Sequence, residues 1–210
     1  MKKFISLSLV IVLCFSLLPF AYGEFDISVI NGSEYYSYDK FEKTWRLGGY
    51  YLQECSNTSF VTVFLILHSK YVENNWGPEF RVVYYDEKTN TSIPVTSFVA
   101  YVDGALFSFG ELGIAKQWSY TYGGTVTREF FNYLEGAQEV AFRIKAKDGK
   151  GNELTIDIDP VDIDSLYDLI QVNTLLEKSN AWLIDQDPDI SDARVKASMD
   201  LSDARTKVRP

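Results

Sequence analysis

The chain has one histidine in 210 residues, and this sets the first limit on its chemistry. A Ser-His-acid or Cys-His mechanism would have to run through His68, and no set of three or four residues at zinc-ligand spacing accompanies it. His68 ends a strongly apolar run, where a half-exposed structural histidine is the expected reading. Carboxylates are plentiful, with 29 Asp and Glu in all. A glycosidase pair about 5–9 Å apart would arise by chance in a chain this acidic, so abundance alone argues for no enzyme. A carboxylate-based hydrolase ranks last of three readings.

Two acidic runs invite a calcium reading. Asp157, Asp159, Asp162 and Asp164 are better explained as a strand end followed by a helix start. On that reading Asp159 is the N-cap, Pro160 the first helical residue and Asp162 an acid near the positive end of the dipole. Asp185-Gln186-Asp187-Pro188-Asp189 opens like an EF-hand loop, but Ile190 stands where glycine is needed and Lys196 where the closing glutamate belongs. Neither run implies a metal, and no cofactor is expected.

Aromatic residues carry the functional signal that remains. Trp118, Tyr120 and Tyr122 alternate with Ser119 and Thr121, and Tyr35, Tyr36 and Tyr38 lie in a polar stretch. Such a face is more often core. Exposed, flat rings beside hydroxyls and carboxylates suit sugar faces or protein hot spots, which makes Trp118, Tyr120 and Tyr122 the candidate ligand-binding residues.

These residues need strands to position them. Phe25, Ile27 and Val29 alternate and suggest a short strand, with the tyrosines after it in a loop. Thr44 to Glu54 reads as a strand with a bulge or kink at Gly48-Gly49. Ser59 to His68 is almost wholly apolar, as in a central strand covered on both faces. Glu79 to Tyr85 alternates again. Phe98 to Phe109 folds about Asp103-Gly104, a type I′ turn signal, pairing Val102 with Ala105, Ala100 with Phe107 and Phe98 with Phe109. Gln117 to Tyr122 is a further strand. A short helix is expected with Thr127 as cap, Val126 and Phe131 as staple, and Gly136 as stop.

Glu139 to Ile158 forms a second hairpin. Lys147 facing Glu153 places Arg143 opposite Asp157 on the wet side. Phe142, Ile144 and Ala146 then meet Ile158, Ile156 and Leu154 on the dry side. A closing helix from about Pro160 to Lys178 shows Ile163, Leu166, Tyr167 and Ile170 as a buried stripe. The fold class that follows is mainly β: an antiparallel sandwich-like or single-sheet domain carrying a short helix and a C-terminal helix packed on it.

Three segments divide the chain. Residues 1–23 read as a signal peptide of bacterial type: Lys2 and Lys3, an apolar run from Phe4 to Phe20 interrupted by Ser6, Ser8, Ser16 and Pro19, then Ala21-Tyr22-Gly23 for cleavage. Leu13 before Cys14 argues against a lipoprotein site. Residues 24–180 are the β-rich domain. Residues 181–210 are a polar tail in which Asp189-Ile190-Ser191-Asp192-Ala193-Arg194 recurs, 11 residues later, as Asp200-Leu201-Ser202-Asp203-Ala204-Arg205. Two copies are too few for a solenoid, and the thin apolar content suits a mobile or partner-ordered segment.

Cleavage would remove two lysines and no acid, moving the formal charge from −9 to −11. That balance disfavours nucleic acid, whose phosphates require Lys and Arg, and no later run is long enough to span a membrane. Cys55 would be the sole remaining cysteine, without an intramolecular disulfide and expected to be buried and inert. Asn31, Asn57 and Asn90 begin sequons, but a bacterial leader argues against glycans. The composite expectation is a secreted or envelope-associated, non-enzymatic binding or adhesion-type module for a glycan or protein. The second reading is an accessory subunit that docks through its tail. Mass spectrometry of exported material should find the N-terminus within about two residues of Glu24; a lipid-modified Cys14 would reject that processing.

Overall fold

The computed structural model describes residues 24–184 except 57, 75, 94, 112, 116, 117, 123, 124, 148 and 149, and describes side chains outside 110–126. The leader, the tail echo and the acidic run at 185–189 lie outside the described residues.

Among the described residues, eleven strands form two antiparallel sheets. The larger takes β1 (Tyr36–Asp39), β2 (Thr44–Ser56), β3 (Ser59–His68), β4 (Glu79–Asp86), β9 (Trp118–Tyr122) and β8 (Gly113–Ala115) in that spatial order, with β5 (Thr91–Ile93) paired to the far end of β4. The smaller runs β11 (Glu153–Ile158), β10 (Val140–Lys147), β6 (Val95–Val102) and β7 (Ala105–Glu111). The chain thus builds part of the large sheet, leaves for β6 and β7, returns for β8 and β9, and leaves again for β10 and β11.

Aromatic side chains join the layers. Phe80 from the large sheet meets Phe98 from the small one at 5.5 Å between ring centroids, and Tyr51 meets Phe142 edge-on at 5.7 Å. Helix α2 (Thr125–Leu134) inserts Phe130 and Phe131 into the same cluster, where Phe131 meets Phe80 in a T-shape at 5.7 Å. Fully burying such a ring stabilises by roughly 1.5–3 kcal/mol, so this seam is the main cohesive element of a sandwich that has no disulfide among its described residues.

The β10–β11 hairpin has the register that the charge pattern implies: Lys147 opposite Glu153, Arg143 opposite Asp157, Phe142 opposite Ile158. The Arg143 guanidinium donates to both carboxylate oxygens of Asp157 at 2.7 and 3.0 Å. At the β6–β7 turn, Asp103 and Gly104 have φ of 46° and 88°, both in the left-handed region that a type I′ turn requires. Val102 faces Ala105 and Ala100 faces Phe107. A register shift follows between Ser97 and Val99, although the Phe98 and Phe109 rings still meet at 5.3 Å. The Asp103 carboxylate accepts the Gln138 and Glu139 amides at 2.9 and 2.8 Å, fastening the hairpin tip to the loop after α2.

Several expectations are corrected. Ile27–Val29 is a 3₁₀ turn capped by Asp26, which accepts the Ser28 amide, and the strand comes later at Tyr36–Asp39. Helix α2 begins at Thr125, so Thr127 lies inside its first turn and is not its cap; Gly136 does take the left-handed conformation at its end, with φ of 80°. Pro160 follows a cis peptide and starts no helix. A 3₁₀ turn at Asp164–Leu166 precedes α3 (Tyr167–Lys178), and the Asp162 carboxylate accepts the Asp164 amide at 3.2 Å. Asp159 is therefore not an N-cap. The later start also changes the buried stripe to Leu166, Leu169, Val172, Asn173 and Leu176, leaving Tyr167 exposed. Ala181 and Trp182, assigned by composition to the polar tail, are buried, and the Trp182 indole donates to Asn173 Oδ1 at 3.0 Å.

Gly48 and Gly49 form no bulge: β2 pairs with β3 in unbroken register through both, and the irregularity lies between Glu54 and Ser56. Gly49 instead admits helix α3. A Cβ on it would stand 2.7 Å from the Asp168 carbonyl oxygen and 3.0 Å from Val172 Cγ2. At Gly48 the nearest atoms would be 3.5 Å away. Gly49→Ala should therefore cost about 3 kcal/mol in urea unfolding by forcing helix and strand apart, and Gly48→Ala less than about 1 kcal/mol. Equal costs would show that α3 does not depend on this close approach.

Candidate binding face

Alternation along the large sheet separates a core face from an outer one. In β3, Val61, Val63, Leu65 and Leu67 are fully buried against the small sheet and helices, while Phe60, Phe64 and His68 on the other side are only half-buried. β3 is central, as expected, yet Phe60 and Phe64 of its apolar run look outward and are only half-buried, while Thr62 and Ile66 between and beside them are covered. Adjacent strands extend this surface: Tyr50 and Leu52 on β2 are 54% and 50% exposed. Tyr50 approaches Phe64 at 6.3 Å, and Phe60 packs on Tyr85 of β4 at 4.9 Å.

One end of the face is polar and tightly bonded. Helix α1 (Ser69–Glu73) follows β3 directly and brings Tyr71 over β4. The Tyr71 hydroxyl donates to Glu79 Oε2 at 2.7 Å, and Arg81 donates to Glu79 Oε1 from Nε at 3.0 Å and Nη2 at 2.6 Å. The Glu79 residue is 3% exposed, so its charge is held by these donors and not by water. Trp76 packs on Tyr71 at 5.7 Å, and Tyr71 on His68 at 5.8 Å. The arrangement is a carboxylate–guanidinium pair framed by aromatic rings.

The sequence candidates fall beside it. β9 pairs with β4 so that Tyr120 is the register partner of Arg81 and Tyr122 the partner of Glu79, with Trp118 two residues further along. Those partners belong to the outer face, not to the core. The side chains of Trp118, Tyr120 and Tyr122 lie outside the described residues. The other tyrosine group is dispersed: Tyr36 stacks near Trp45 at 6.2 Å, Tyr38 is 51% exposed, and the Tyr35 hydroxyl donates to Asp168 Oδ1 at 3.3 Å. Desolvation, then the Asp168 charge, push the Tyr35 phenol up to about 12, so it stays a donor at neutral pH.

Sequence reasoning missed Tyr71, Trp76, Glu79 and Arg81, because α1 folds them together and no spacing within β4 reveals a partner eight residues upstream. Cys55 is a correction: it is exposed. The β2–β3 irregularity spans Glu54 to Ser56 and leaves Cys55 out of the ladder. Partial desolvation nonetheless raises its thiol pKa, which disfavours the reactive thiolate. Among the described residues no group of three metal-ligating side chains forms, and no helix is long and apolar enough to cross a membrane. Comparisons with protein-family models, curated proteins and solved structures return no match.

His68 has a structural task in this arrangement. Its Nδ1 accepts the Lys70 amide at 3.2 Å and caps α1, the helix that carries Tyr71. Its pKa is lowered, chiefly by burial and then by the Lys70 and Arg46 charges. The unfolded chain therefore binds the proton more readily. The cap's stabilisation is complete above the unfolded value, near pH 6.5, and is lost as pH falls through the lower native value. His68→Asn keeps an acceptor that does not titrate. Between about pH 7.5 and 5, thermal midpoints of the unmutated protein should fall further than those of His68→Asn. A difference independent of pH would reject the capping role.

Proposed function

We propose that this chain is an exported, non-enzymatic binding module that holds a glycan or protein partner on the outer face of the large sheet. The observation that supports the reading is an aromatic and apolar sheet face, turned away from the core, that surrounds a buried and fully bonded Glu79. An aromatic frame beside fixed polar groups suits the apolar face and hydroxyls of a sugar ring, or the rim and anchor of a protein contact. Glu79 is occupied by Tyr71 and Arg81, an arrangement that rigidifies the face and leaves no free acid–base pair at its centre. The acidic balance, −9 for the whole chain, argues against phosphate-rich partners.

The test is binding of the leader-free protein to an arrayed panel of oligosaccharides and peptides, followed by substitution at β9. Trp118→Phe with Tyr120→Leu should retain the thermal midpoint and cost about 2 kcal/mol in affinity, the loss of a central aromatic anchor. Unchanged affinity in the folded double variant would move the site elsewhere. Turnover of any panel member that Glu79→Gln abolishes without unfolding would replace binding with catalysis.

A further inference from the structure

β2 is thirteen residues long, but β1 pairs only with Thr44 to Leu47. The last bond on that side runs from the Gly48 amide to the Tyr35 carbonyl at 3.1 Å. Backbone polar groups of alternate residues in an antiparallel strand point the same way. Arg46, whose carbonyl accepts from Ser37 Oγ, and Gly48 both point toward β1. Tyr50, Leu52 and Glu54 therefore point out of the same edge. The Glu54 carbonyl is taken by Gln53 Nε2 at 2.8 Å. Among the described residues the amides and carbonyls of Tyr50 and Leu52 have no partner.

The edge opens into a depression of about 440 Å³ where β1 has ended and α3 begins, with Glu34, Gly48, Gly49, Tyr50 and Asp168 on its walls. Its two sides differ. On the outer side stand Tyr50, Leu52 and Phe64, with Arg46 beside Gly48 as the one base among the described lining residues, against the three acids Glu34, Glu54 and Asp168; on the inner side Asp168 lies against Gly49. A strand laid along this edge would present alternate residues to an apolar surface and to carboxylates.

We infer that the open edge of β2 from Gly49 to Glu54 binds an extended basic peptide, which adds to the large sheet as a further strand with Lys or Arg alternating with apolar residues. The inference rests on the binding-module reading and names its partner class. Charge selects the occupant. Glu34, Glu54 and Asp168 flank the edge, and a second copy would bring the same acids against them, a recognised guard against edge-to-edge pairing. A cationic strand is attracted by those charges, and main-chain bonds then supply affinity while the alternate side chains supply specificity.

The test uses the leader-free full chain and an acetylated, amidated nine-residue peptide that alternates lysine with valine or tyrosine. Binding should protect the Tyr50 and Leu52 amides from hydrogen exchange and should weaken with salt. Two N-methylated forms of the peptide, one blocked at the lysines and one at the apolar residues, leave the protein untouched. One form should lose at least tenfold in affinity and the other should bind as before, because only one set of amides faces β2. Leu52→Pro, which removes an amide without a described partner, should match the damaging form. Asp168→Asn with Glu34→Gln should weaken binding several-fold. Equal binding by both methylated forms, or binding without protection at Tyr50 and Leu52, would overturn the inference. So would amides already protected without peptide, whether released by dilution (a second copy) or by removing residues 185–210 (the chain's own tail). Loss of the peptide result with panel binding still sensitive to Trp118 and Tyr120 would refute the edge and leave the binding-module reading standing.

Discussion

The Asp168 carbonyl occupies the space that a side chain at Gly49 would fill, and much of the molecule's shape on that flank follows from this contact. Because the helix backbone reaches the strand, α3 lies flat on β2 and buries Leu169, Val172 and Leu176. A helix seated there is close enough for Arg128 of α2 to clasp Glu177 through two bonds of 2.5 and 2.7 Å, and for Asn132 to accept from Asn173 at 2.8 Å. The two helices therefore close one side of the sandwich as a unit. The same seat brings Asp168 to the margin of β2, where it meets the Tyr35 hydroxyl and gives the depression its charge.

Against that flank, the outer face has a different internal logic. Its centre is held by charge and hydrogen bonds, not by a second layer. Taking Glu79 out of water is costly, and the Tyr71 and Arg81 donors offset that cost only if α1 holds its place at the end of β3. The cap from His68 is thus connected, through five helical residues, to the solvation of a carboxylate on the next strand. Rings of Tyr71 and Trp76 pack nearby, and the Glu79 carboxylate is buried while the Arg81 side chain keeps a partly exposed edge; low local polarity strengthens the bonds to that carboxylate.

Sequence legibility followed where the physical signal was stored. The β10–β11 register was readable because opposite charges and apolar pairs repeat over consecutive positions and agree on one alignment. The Asp103-Gly104 turn was readable because its backbone conformation is restrictive. The phase of α3 was not, since a 3₁₀ turn at Asp164–Leu166 precedes a helix that starts seven residues after Pro160, which rotates its buried side. Gly48-Gly49 was recognisable as special, but the reason for Gly49 is a helix 119 residues downstream. The aromatic alternation of β9 was legible; its neighbours Glu79 and Arg81 were not, because only the paired sheet sets them opposite Tyr122 and Tyr120. Cys55 has an apolar neighbourhood in sequence that implies burial, but a local irregularity in the β2–β3 ladder decides its exposure.

The order in which the chain visits its two sheets has its own consequence. β1 to β5 belong to the large sheet, β6 and β7 to the small one, β8 and β9 to the large again, and β10 and β11 to the small. Neither layer comes from an uninterrupted run of strands: β6 and β7 interrupt the large one, and β8 and β9 the small one. Pairing β6 with β10 must enclose β7 to β9 and α2 in one long loop, and such closure has to be completed before it is rewarded. The layers are interlaced in time as well as in space: a nascent chain cannot finish one and then begin the other, and a nick between β6 and β9 leaves two fragments that each lack partners for both layers. The sandwich therefore has no seam at which a single cut would give two halves, each holding one whole layer and nothing of the other.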